Sequence, residues 1–390
     1  MLNPASTPST QGAALALLEG RELLEEETLC LNLRGRGEHC HRCAAACHAD
    51  ALFLSLDALE VDRARCTGCG GCVPVCPAGA LRLSGFSPAR FLAALDGAPE
   101  VHLHCGASRD DGGGVVIPCF KVLDERLLAA ARADGVETLH LHGLEQCTRC
   151  RHGGALEWLD RVGRRLTRRL GESAPRLHQS PPGGSAAAGP RARQDQPQLS
   201  RRAFLRLAGA RASLEAARWL VPVEEDDEAG TDLPFFQGDI TEIRRPHPYQ
   251  MLLAARVEQL PWGAEQPLPW RLRTLEAHCT GCLVCGQRCP TGALLAHEEG
   301  HSALAISFEP ALCTDCGLCT ALCPVEAIAI QPVHRASQVT APRETLMMRR
   351  LRACARCGDG FEPETPDAKH CPICAKERAL DEEWLAMLGA

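Results

Sequence analysis

Short apolar stretches recur along the chain, and most of them have the length of single β-strands. Residues 59–62 and 304–308 alternate apolar and polar side chains with a period of two, as strands do. Four more short apolar stretches each follow a group of closely spaced cysteines, at residues 51–54, 80–83, 293–295 and 327–330. The pattern predicts strands that alternate with cysteine loops and short helices in two parts of the chain.

Residues 98–172 show a different pattern, in which strands alternate with longer helices. Three strands are predicted in this segment, at residues 101–104, 115–117 and 136–141. Two helices are predicted at residues 121–133 and 154–170, and the second of them is basic. This order predicts a small α/β unit. Open α/β sheets gather their ligands at the carboxyl ends of strands. Four cysteines lie at such ends and are therefore a candidate metal site, in addition to those described below: Cys105, Cys119, Cys147 and Cys150.

The cysteine content demands a chemical explanation, because 24 of the 390 residues are Cys. Disulfides in a secreted chain and metal ligands in a reducing compartment are the two alternatives. Repeated Cys-x-x-Cys spacings favour metal, because thiols so close together compete for the same disulfide geometry. We therefore expect a cytoplasmic protein whose thiols stay reduced until they bind metal.

Three segments carry the same run, C-x2-C-x2-C-x3-C-P. Such a loop can wrap a cube-shaped [4Fe–4S] cluster with its first three thiolates, while the fourth reaches a neighbouring cluster. The three runs are Cys66, Cys69, Cys72 and Cys76; Cys279, Cys282, Cys285 and Cys289; and Cys313, Cys316, Cys319 and Cys323.

A fourth run is incomplete. Cys40, Cys43 and Cys47 match its last three positions, whereas Gly37 stands at the first. Cys30 is the nearest spare thiol, and we expect it to supply the missing ligand. The alternative is a three-cysteine site with Cys30 merely buried.

Residues 30–84 (the first module) and 276–333 (the second module) resemble two-cluster bacterial ferredoxins. The resemblance implies an α+β fold and four [4Fe–4S] clusters in all. It also implies that each cluster takes three thiolates from one run and one from its partner run: Cys30, Cys40, Cys43 with Cys76; Cys66, Cys69, Cys72 with Cys47; Cys279, Cys282, Cys285 with Cys323; and Cys313, Cys316, Cys319 with Cys289. At about 55 residues, each module is too small for a robust apolar core without its clusters.

Two more segments resemble known electron-transfer proteins. Ser200-Arg-Arg-Ala-Phe-Leu-Arg206 precedes the second module, and residues 200–333 resemble the cytoplasmic ferredoxin-like protein of periplasmic nitrate reductase systems. The order Cys, Cys, Cys-x-x-Cys in residues 98–172 loosely resembles the small iron–sulfur subunit that links hydrogenases to heterodisulfide reductases. That resemblance implies an additional iron–sulfur cluster in the middle segment; a redox dithiol or disulfide, or structural cysteines, are the alternatives.

Two Cys-x-x-Cys knuckles lie near the end of the chain. Their spacing is typical of a zinc ribbon, in which four thiolates surround one Zn²⁺ tetrahedrally. The expected ligands are Cys354, Cys357, Cys371 and Cys374. A rubredoxin-like iron site is the alternative.

Charge and motifs exclude several function classes. The net charge of −7 argues against a general nucleic-acid binder, which needs surplus positive charge. The sequence has no run of about 18 apolar residues, so no membrane span is predicted. No dinucleotide fingerprint or P-loop is present.

The predicted organisation is an α+β chain with two ferredoxin-like dicluster modules, a small α/β middle domain and a C-terminal zinc ribbon. Its predicted parts are an N-terminal segment (1–29), the first module (30–84), a four-Cys α/β domain (98–172), a flexible linker (173–199), a basic helix (200–222), a second linker (223–275), the second module (276–333), and a zinc ribbon with a terminal helix (345–390).

These features predict a non-catalytic polyferredoxin that relays electrons to or from a larger redox enzyme. A formate dehydrogenase or a nitrate reductase is the type of partner expected. The alternative is an iron–sulfur assembly or maturation factor for such an enzyme. A third hypothesis is an enzyme that acts on a thiol or disulfide at the middle cysteines.

Overall fold

The first module is built from two antiparallel strand pairs. The structure, a computed structural model, describes residues 22–37, 40–55, 58–106, 114–179, 243–263, 266–299, 303–363, 365 and 367–387. Strand β1 pairs with β4, and β2 pairs with β3. Short helices between the pairs carry the cysteine runs. The strands are β1 (Leu23–Glu25), β2 (Leu52–Leu54), β3 (Leu59–Val61) and β4 (Leu81–Leu83), and the helices are Leu31–Gly35, Arg42–Ala46 and Cys72–Val75.

The middle segment forms a four-stranded parallel sheet in the order β6-β5-β7-β8. Asp124 caps the second helix by accepting a hydrogen bond from the Leu127 amide at 2.9 Å. The strands are β5 (Glu100–Cys105), β6 (Val115–Ile117), β7 (Thr138–His142) and β8 (Arg176–Gln179), and the helices are Pro88–Leu95, Glu125–Ala133 and Ala155–Leu170.

The second module repeats the pairing of the first. Strand β9 pairs with β12, β10 pairs with β11, and an added strand β13 lies beside β11. The strands are β9 (Arg271–Leu275), β10 (Leu294–Glu299), β11 (Ala303–Phe308), β12 (Ile328–Pro332) and β13 (Glu344–Arg350), and the helices are Val284–Arg288, Leu318–Ala321 and Ala336–Val339.

The C-terminal knuckles lie between a two-stranded ribbon and a long helix. Strand β14 (Arg352–Ala353) pairs with β15 (Gly360–Phe361), and the helix spans Pro372–Met387. A small apolar group holds three of the four knuckle cysteines, Cys354, Cys371 and Cys374, together with the buried Phe361. No helix in the described residues is long and apolar enough to cross a membrane.

One apolar core joins the first module, the parallel sheet and part of the chain before the second module. Phe120, Leu127 and Leu141 of the sheet region are fully or almost fully buried in it, and so are Tyr249 and Trp270. The second module has its own smaller core around Ile306 and Phe308. The described residues all fall within one compact unit of the chain.

Two predicted linkers differ from the structure. Strand β8 (Arg176–Gln179) lies inside the predicted linker 173–199, because it completes the parallel sheet beside β7. The predicted linker 223–275 includes a helix, Pro248–Ala254, which we call the bridging helix, and strand β9. The stretch 246–270 has only three charged residues, Arg256, Glu258 and Glu265, so its apolar residues can pack against the core. The predicted basic helix 200–222 lies outside the described residues.

Candidate metal centres

Four thiols from two runs line one cavity of the first module. Cys66, Cys69 and Cys72 of one complete run meet Cys47 of the incomplete run there, and we call this group site B. Gly70 lies in the loop with a φ of +72°, and a Cβ at this position would come within 2.7 Å of the Val122 side chain. Glycine therefore allows the cysteine loop to lie directly against the neighbouring helical turn.

The other four cysteines of the first module form site A. Burial raises the pKa of Cys43 to about 12, and the neighbouring thiols of Cys76, Cys40 and Cys30 raise it further. Cys30 itself is buried, and burial is the main cause that raises the pKa of its thiol. The neighbouring Cys40 thiol raises this pKa further. Site A is thus the group Cys30, Cys40, Cys43 and Cys76.

The side chain of Asn32 explains how Cys30 reaches a group that begins ten residues later. The side-chain amide of Asn32 donates to the Cys40 carbonyl at 3.1 Å. The backbone amide of Cys40 donates in return to the side-chain oxygen of Asn32 at 2.8 Å. Asn32 is buried, with 1% of its surface exposed. These two hydrogen bonds hold the start of the run beside the helix that follows Cys30, a feature that the sequence analysis missed.

Two more cavities in the second module are each lined by four cysteines. One, site C, is formed by Cys289 with Cys313, Cys316 and Cys319. The other, site D, is formed by Cys323 with Cys279, Cys282 and Cys285. Each of sites B, C and D therefore combines three cysteines of one run with the last cysteine of its partner run.

The sites within a module lie close to each other. The Cys43 thiol of site A is among the charges that raise the pKa of Cys72 in site B, although burial has the larger effect. In the second module, burial raises the pKa of Cys285 in site D to about 12, with the Cys319 thiol of site C as the next cause. Thiols with such raised pKa values keep their protons until metal binds, so metal loading must release protons.

Backbone amides point at the last cysteine of two runs. The Ala51 amide donates to the Cys47 sulfur at 3.3 Å, and the Ala327 amide donates to the Cys323 sulfur at 3.2 Å. Both amides lie four residues after the cysteine. Hydrogen bonds of this kind stabilise thiolates and tune the reduction potential of an iron–sulfur cluster.

Site C has a buried positive charge beside it. Arg273 of β9 is 2% exposed and donates to the carboxylate of Asp315. Burial acts to lower the pKa of Arg273, but the negative charges of Cys313 and Asp315 raise it on balance. The arginine therefore stays charged next to the thiols of site C.

The four cysteines of the middle segment gather at the carboxyl ends of β5, β6 and β7. Burial raises the pKa of Cys119 to about 12, and the Cys69 and Cys105 thiols add to this. Burial also raises the pKa of Cys147 to about 11, with Cys105 and Cys150 as neighbours. This middle site therefore lies next to site B.

A row of histidines covers one face of the parallel sheet. His104 and His142 stack with ring centroids 4.4 Å apart, and His102 Nδ1 lies 2.9 Å from His142 Nε2. His140 stacks on His102, and His178 meets His140 edge-on. The row was not predicted, although the alternation of His with Val and Leu in β5 and β7 is visible in the sequence.

The knuckle cysteines are drawn together more tightly than any other set. Cys354, Cys357, Cys371 and Cys374 have ligand atoms that all lie within 4.8 Å of one another. Among the described residues, no other group of three or more His, Cys, Asp or Glu is so compact. Amides of Cys357 and Cys371 lower the pKa of Cys354 to about 6, which favours the thiolate that a metal ion needs.

The segment 243–254, which we call the junction segment, contacts both modules. On the side of the first module, Ile243 accepts a hydrogen bond from Arg34, and His247 Nε2 donates to the Cys76 carbonyl at 2.9 Å. On the side of the second module, the Arg245 amide donates to the Pro290 carbonyl at 2.9 Å, and Gln250 donates to the Cys313 carbonyl at 3.1 Å.

The junction segment is also fixed to the parallel sheet region. The Tyr249 hydroxyl donates to the Val122 carbonyl at 2.9 Å, and both groups are buried. Arg256, just after the bridging helix, forms an ion pair with Asp134 at 2.7 Å. One segment thus ties together the two modules and the parallel sheet.

Comparison with known proteins gives one family match. A family model described as a 4Fe-4S binding domain matches residues 59–82 and 306–329. Each matched stretch runs from a strand through one complete cysteine run to the next strand. No curated protein matches the chain. The chain thus contains two 4Fe-4S binding domains within a mixed helix and strand fold, which supports an iron–sulfur protein of ferredoxin type.

Proposed function

We propose that this protein is an electron-transfer polyferredoxin that carries four [4Fe–4S] clusters at sites A, B, C and D. One observation carries the proposal: three cavities are each lined by four cysteines, three from one run and one from its partner run. This is the arrangement in which two-cluster ferredoxins hold a pair of cubane clusters. Site A groups its cysteines in the same way.

The chain's own residues provide each cluster with a full set of ligands. A [4Fe–4S] cluster supplies a one-electron couple when it is bound. Four thiolates at each site occupy every iron, so no position is left for a substrate. The amides on Cys47 and Cys323 stabilise the thiolate charge. These features support a carrier without a catalytic residue.

The knuckle and the middle site are proposed to hold two further metal groups. The compact set Cys354, Cys357, Cys371 and Cys374 suits a single tetrahedral Zn²⁺. Cys105, Cys119, Cys147 and Cys150 are more widely separated than the knuckle ligands, as are the cysteines of sites A to D. A multi-iron cluster therefore suits the middle site better than one zinc ion.

The proposed partner is a larger cytoplasmic redox enzyme, such as a formate dehydrogenase or a nitrate reductase. Of the cysteines in the four runs, all of which are described, only Cys282 of site D is exposed. Electron exchange with another protein requires close approach, so this edge of the second module is the proposed contact point. The Ser200-Arg-Arg opening, which resembles the nitrate reductase-associated protein, supports this class of partner.

Anaerobic purification with iron, sulfide and zinc analysis tests the proposal. Four cubane clusters require about 16 Fe, the knuckle requires about one Zn, and a filled middle site adds further iron. We expect brown protein that a low-potential reductant bleaches and an oxidant restores over many cycles. Colourless, iron-free and compactly folded protein would contradict the proposal.

The rival function, assembly or maturation of a partner enzyme, predicts a different kinetic result. A carrier is reduced and reoxidised in every turnover of its partner, so its removal stops turnover. An assembly factor is dispensable once the partner is mature. Turnover of the mature partner at full rate without this protein would therefore favour the assembly function.

A further inference from the structure

We propose that the junction segment and Arg34 fix site A beside site C, so that electrons cross between the two modules inside this one chain. The inference rests on the proposed function. It adds a route and two positioning residues, Arg34 and Gln250. The expectation from the sequence was two modules separated by flexible linkers. The described contacts instead connect the modules at two places, and both places join the same two sites.

The first connection runs through Arg34, which lies in the helix that follows Cys30 of site A. Its guanidinium donates to the Thr28 carbonyl at 2.7 Å, to the Arg288 carbonyl at 3.3 Å and to the Ile243 carbonyl. Arg288 immediately precedes Cys289 of site C. Arg34 is 1% exposed, so its charge is held inside the protein between the two sites.

The second connection runs through the bridging helix. His247 donates to the carbonyl of Cys76, a cysteine of site A, at 2.9 Å. Gln250, three residues later, donates to the carbonyl of Cys313, a cysteine of site C, at 3.1 Å. Both side chains are buried. One turn of helix thus lies between a ligand backbone of one module and a ligand backbone of the other.

These contacts give the four sites a linear order. Sites A and B adjoin within the first module, where the helix that carries Cys43 packs on the helix that begins at Cys72. Sites C and D adjoin within the second, where the helix that carries Cys285 packs on the helix that carries Cys319. The junction then places A next to C. The order B, A, C, D ends at the exposed Cys282 of site D. Every cluster therefore has a neighbour, and the crossing between modules is the step that Arg34 and Gln250 control.

A photosensitiser attached at the end of the chain can test the crossing. The sequence contains three lysines, of which Lys121 is buried while Lys369 and Lys376 of the knuckle region are exposed. Once the α-amine has been blocked at neutral pH, an amine-reactive photosensitiser labels the knuckle region, whose strand β15 lines a cavity together with Cys282 of site D. Flash reduction of the intact loaded protein then injects electrons at the second module, and bleaching of the clusters is followed.

The wild-type protein should bleach as one pool, because electrons pass from D and C to A and B. In Arg34→Met and Gln250→Met, half of the bleaching, which belongs to sites A and B, should slow by about tenfold or more, since displacements of about 1 Å between reacting groups have effects of that size. Gln250→Met removes a single donor and keeps the side-chain volume, so it tests the idea even if Arg34→Met folds poorly.

Matched controls make the same substitutions, Arg to Met and Gln to Met, at exposed positions away from the junction. Arg164→Met changes an exposed arginine of the helix Ala155–Leu170, and Gln259→Met changes an exposed glutamine after the bridging helix. Both should bleach like the wild type. Uniform bleaching of all variants would overturn the positioning role of Arg34 and Gln250. If the wild-type protein contains its full iron and yet only half of its clusters bleach quickly, electrons do not cross between the modules and the proposed crossing is overturned.

Iron analysis and near-ultraviolet circular dichroism of the same samples separate the claims. Wild-type protein without iron would contradict the proposed function. Full iron with split bleaching contradicts only the junction. A junction variant that keeps its iron and its dichroism but loses fast bleaching of one half shows a positioning effect, because general unfolding would change both of the other readouts.

Discussion

At the scale of single residues, buried arginines beside the thiols decide the electrostatics of the sites. Arg273 is almost fully buried next to the thiols of site C, and Arg34 is almost fully buried between sites A and C. A positive charge in a poorly solvated place stabilises the reduced, more negative form of a cluster. Site C therefore has two buried arginines near its thiols, Arg273 beside Cys313 and Arg34 near Cys289.

Arg273→Met should make the reduction potential of one cluster more negative. We expect a change of about 30–60 mV, given that a tenfold change in equilibrium constant corresponds to about 59 mV for one electron. A redox titration followed by electron paramagnetic resonance measures the shift. Arg350→Met, which changes an exposed arginine of β13, is the control and should leave all potentials in place. Unchanged potentials in Arg273→Met with full iron would refute the role assigned to this charge.

At the scale of elements, close backbone approach holds the cysteine loops against the strands. The helix Val284–Arg288 carries Cys285 and lies directly on β10. A Cβ at Gly286 would come within 2.5 Å of the Ala296 amide and 2.7 Å of the Leu295 carbonyl carbon. Both of these atoms belong to the backbone and cannot turn away, so only glycine fits between helix and strand.

Gly286→Ala should therefore destabilise the second module, by about 1–3 kcal/mol as for other overpacked sites. Thermal unfolding and the rate of iron loss to a chelator measure the effect. Gly163→Ala is the control, because a Cβ there would make an ordinary contact of 3.7 Å with Leu177 in a helix. That change should stabilise by about 0.5–1 kcal/mol. Equal stability of the two variants would show that the close approach at Gly286 is not limiting.

The knuckle should lose its metal independently of the iron sites. Cys371→Ser removes one of four ligands that lie within 4.8 Å of one another. Zinc content should fall from about one equivalent to near zero, because a structural zinc site needs its complete tetrahedral set. Iron content serves as the internal control and should stay unchanged. Retained zinc, or a parallel loss of iron, would contradict an independent zinc site.

At the scale of the whole molecule, the described parts of the chain are held together by one shared core and by the junction segment. Tyr249 and Trp270, which follow the long segment outside the described residues, are buried in the same core as the parallel sheet. Arg34, His247 and Gln250 add hydrogen bonds across the same boundary. The two halves should therefore stay together without a covalent connection between them.

Cleavage of the chain at an inserted protease site between Gly184 and Ser185 tests this expectation. The two fragments should co-elute on size exclusion and keep all of their iron, because the contacts just described do not involve residues near the cut. The uncleaved protein with the same insertion is the control. Fragments that separate while keeping their iron would show that the shared core does not hold the halves together.

The structure and the family match agree with much of the predicted organisation. Strands before the runs that begin at Cys66 and Cys313 were predicted from period-two alternation, and the structure places strands there. The α+β class and the two ferredoxin-like stretches follow from the same residues and are confirmed. The individual cysteine pairings stay a prediction, although the cavities group the thiols in the predicted way.

Spacing along the chain determined the cysteine loops, because a ligand run that wraps one cluster is a local feature of about a dozen residues. It did not reveal that Asn32 closes the gap between Cys30 and Cys40, since that depends on two hydrogen bonds across a bend. It also gave no sign that the described residues 243–263 and 266–275 pack against the rest of the chain rather than form a linker. Their contacts join residues more than 170 positions apart, such as His247 and Cys76, and only the folded chain brings such residues together.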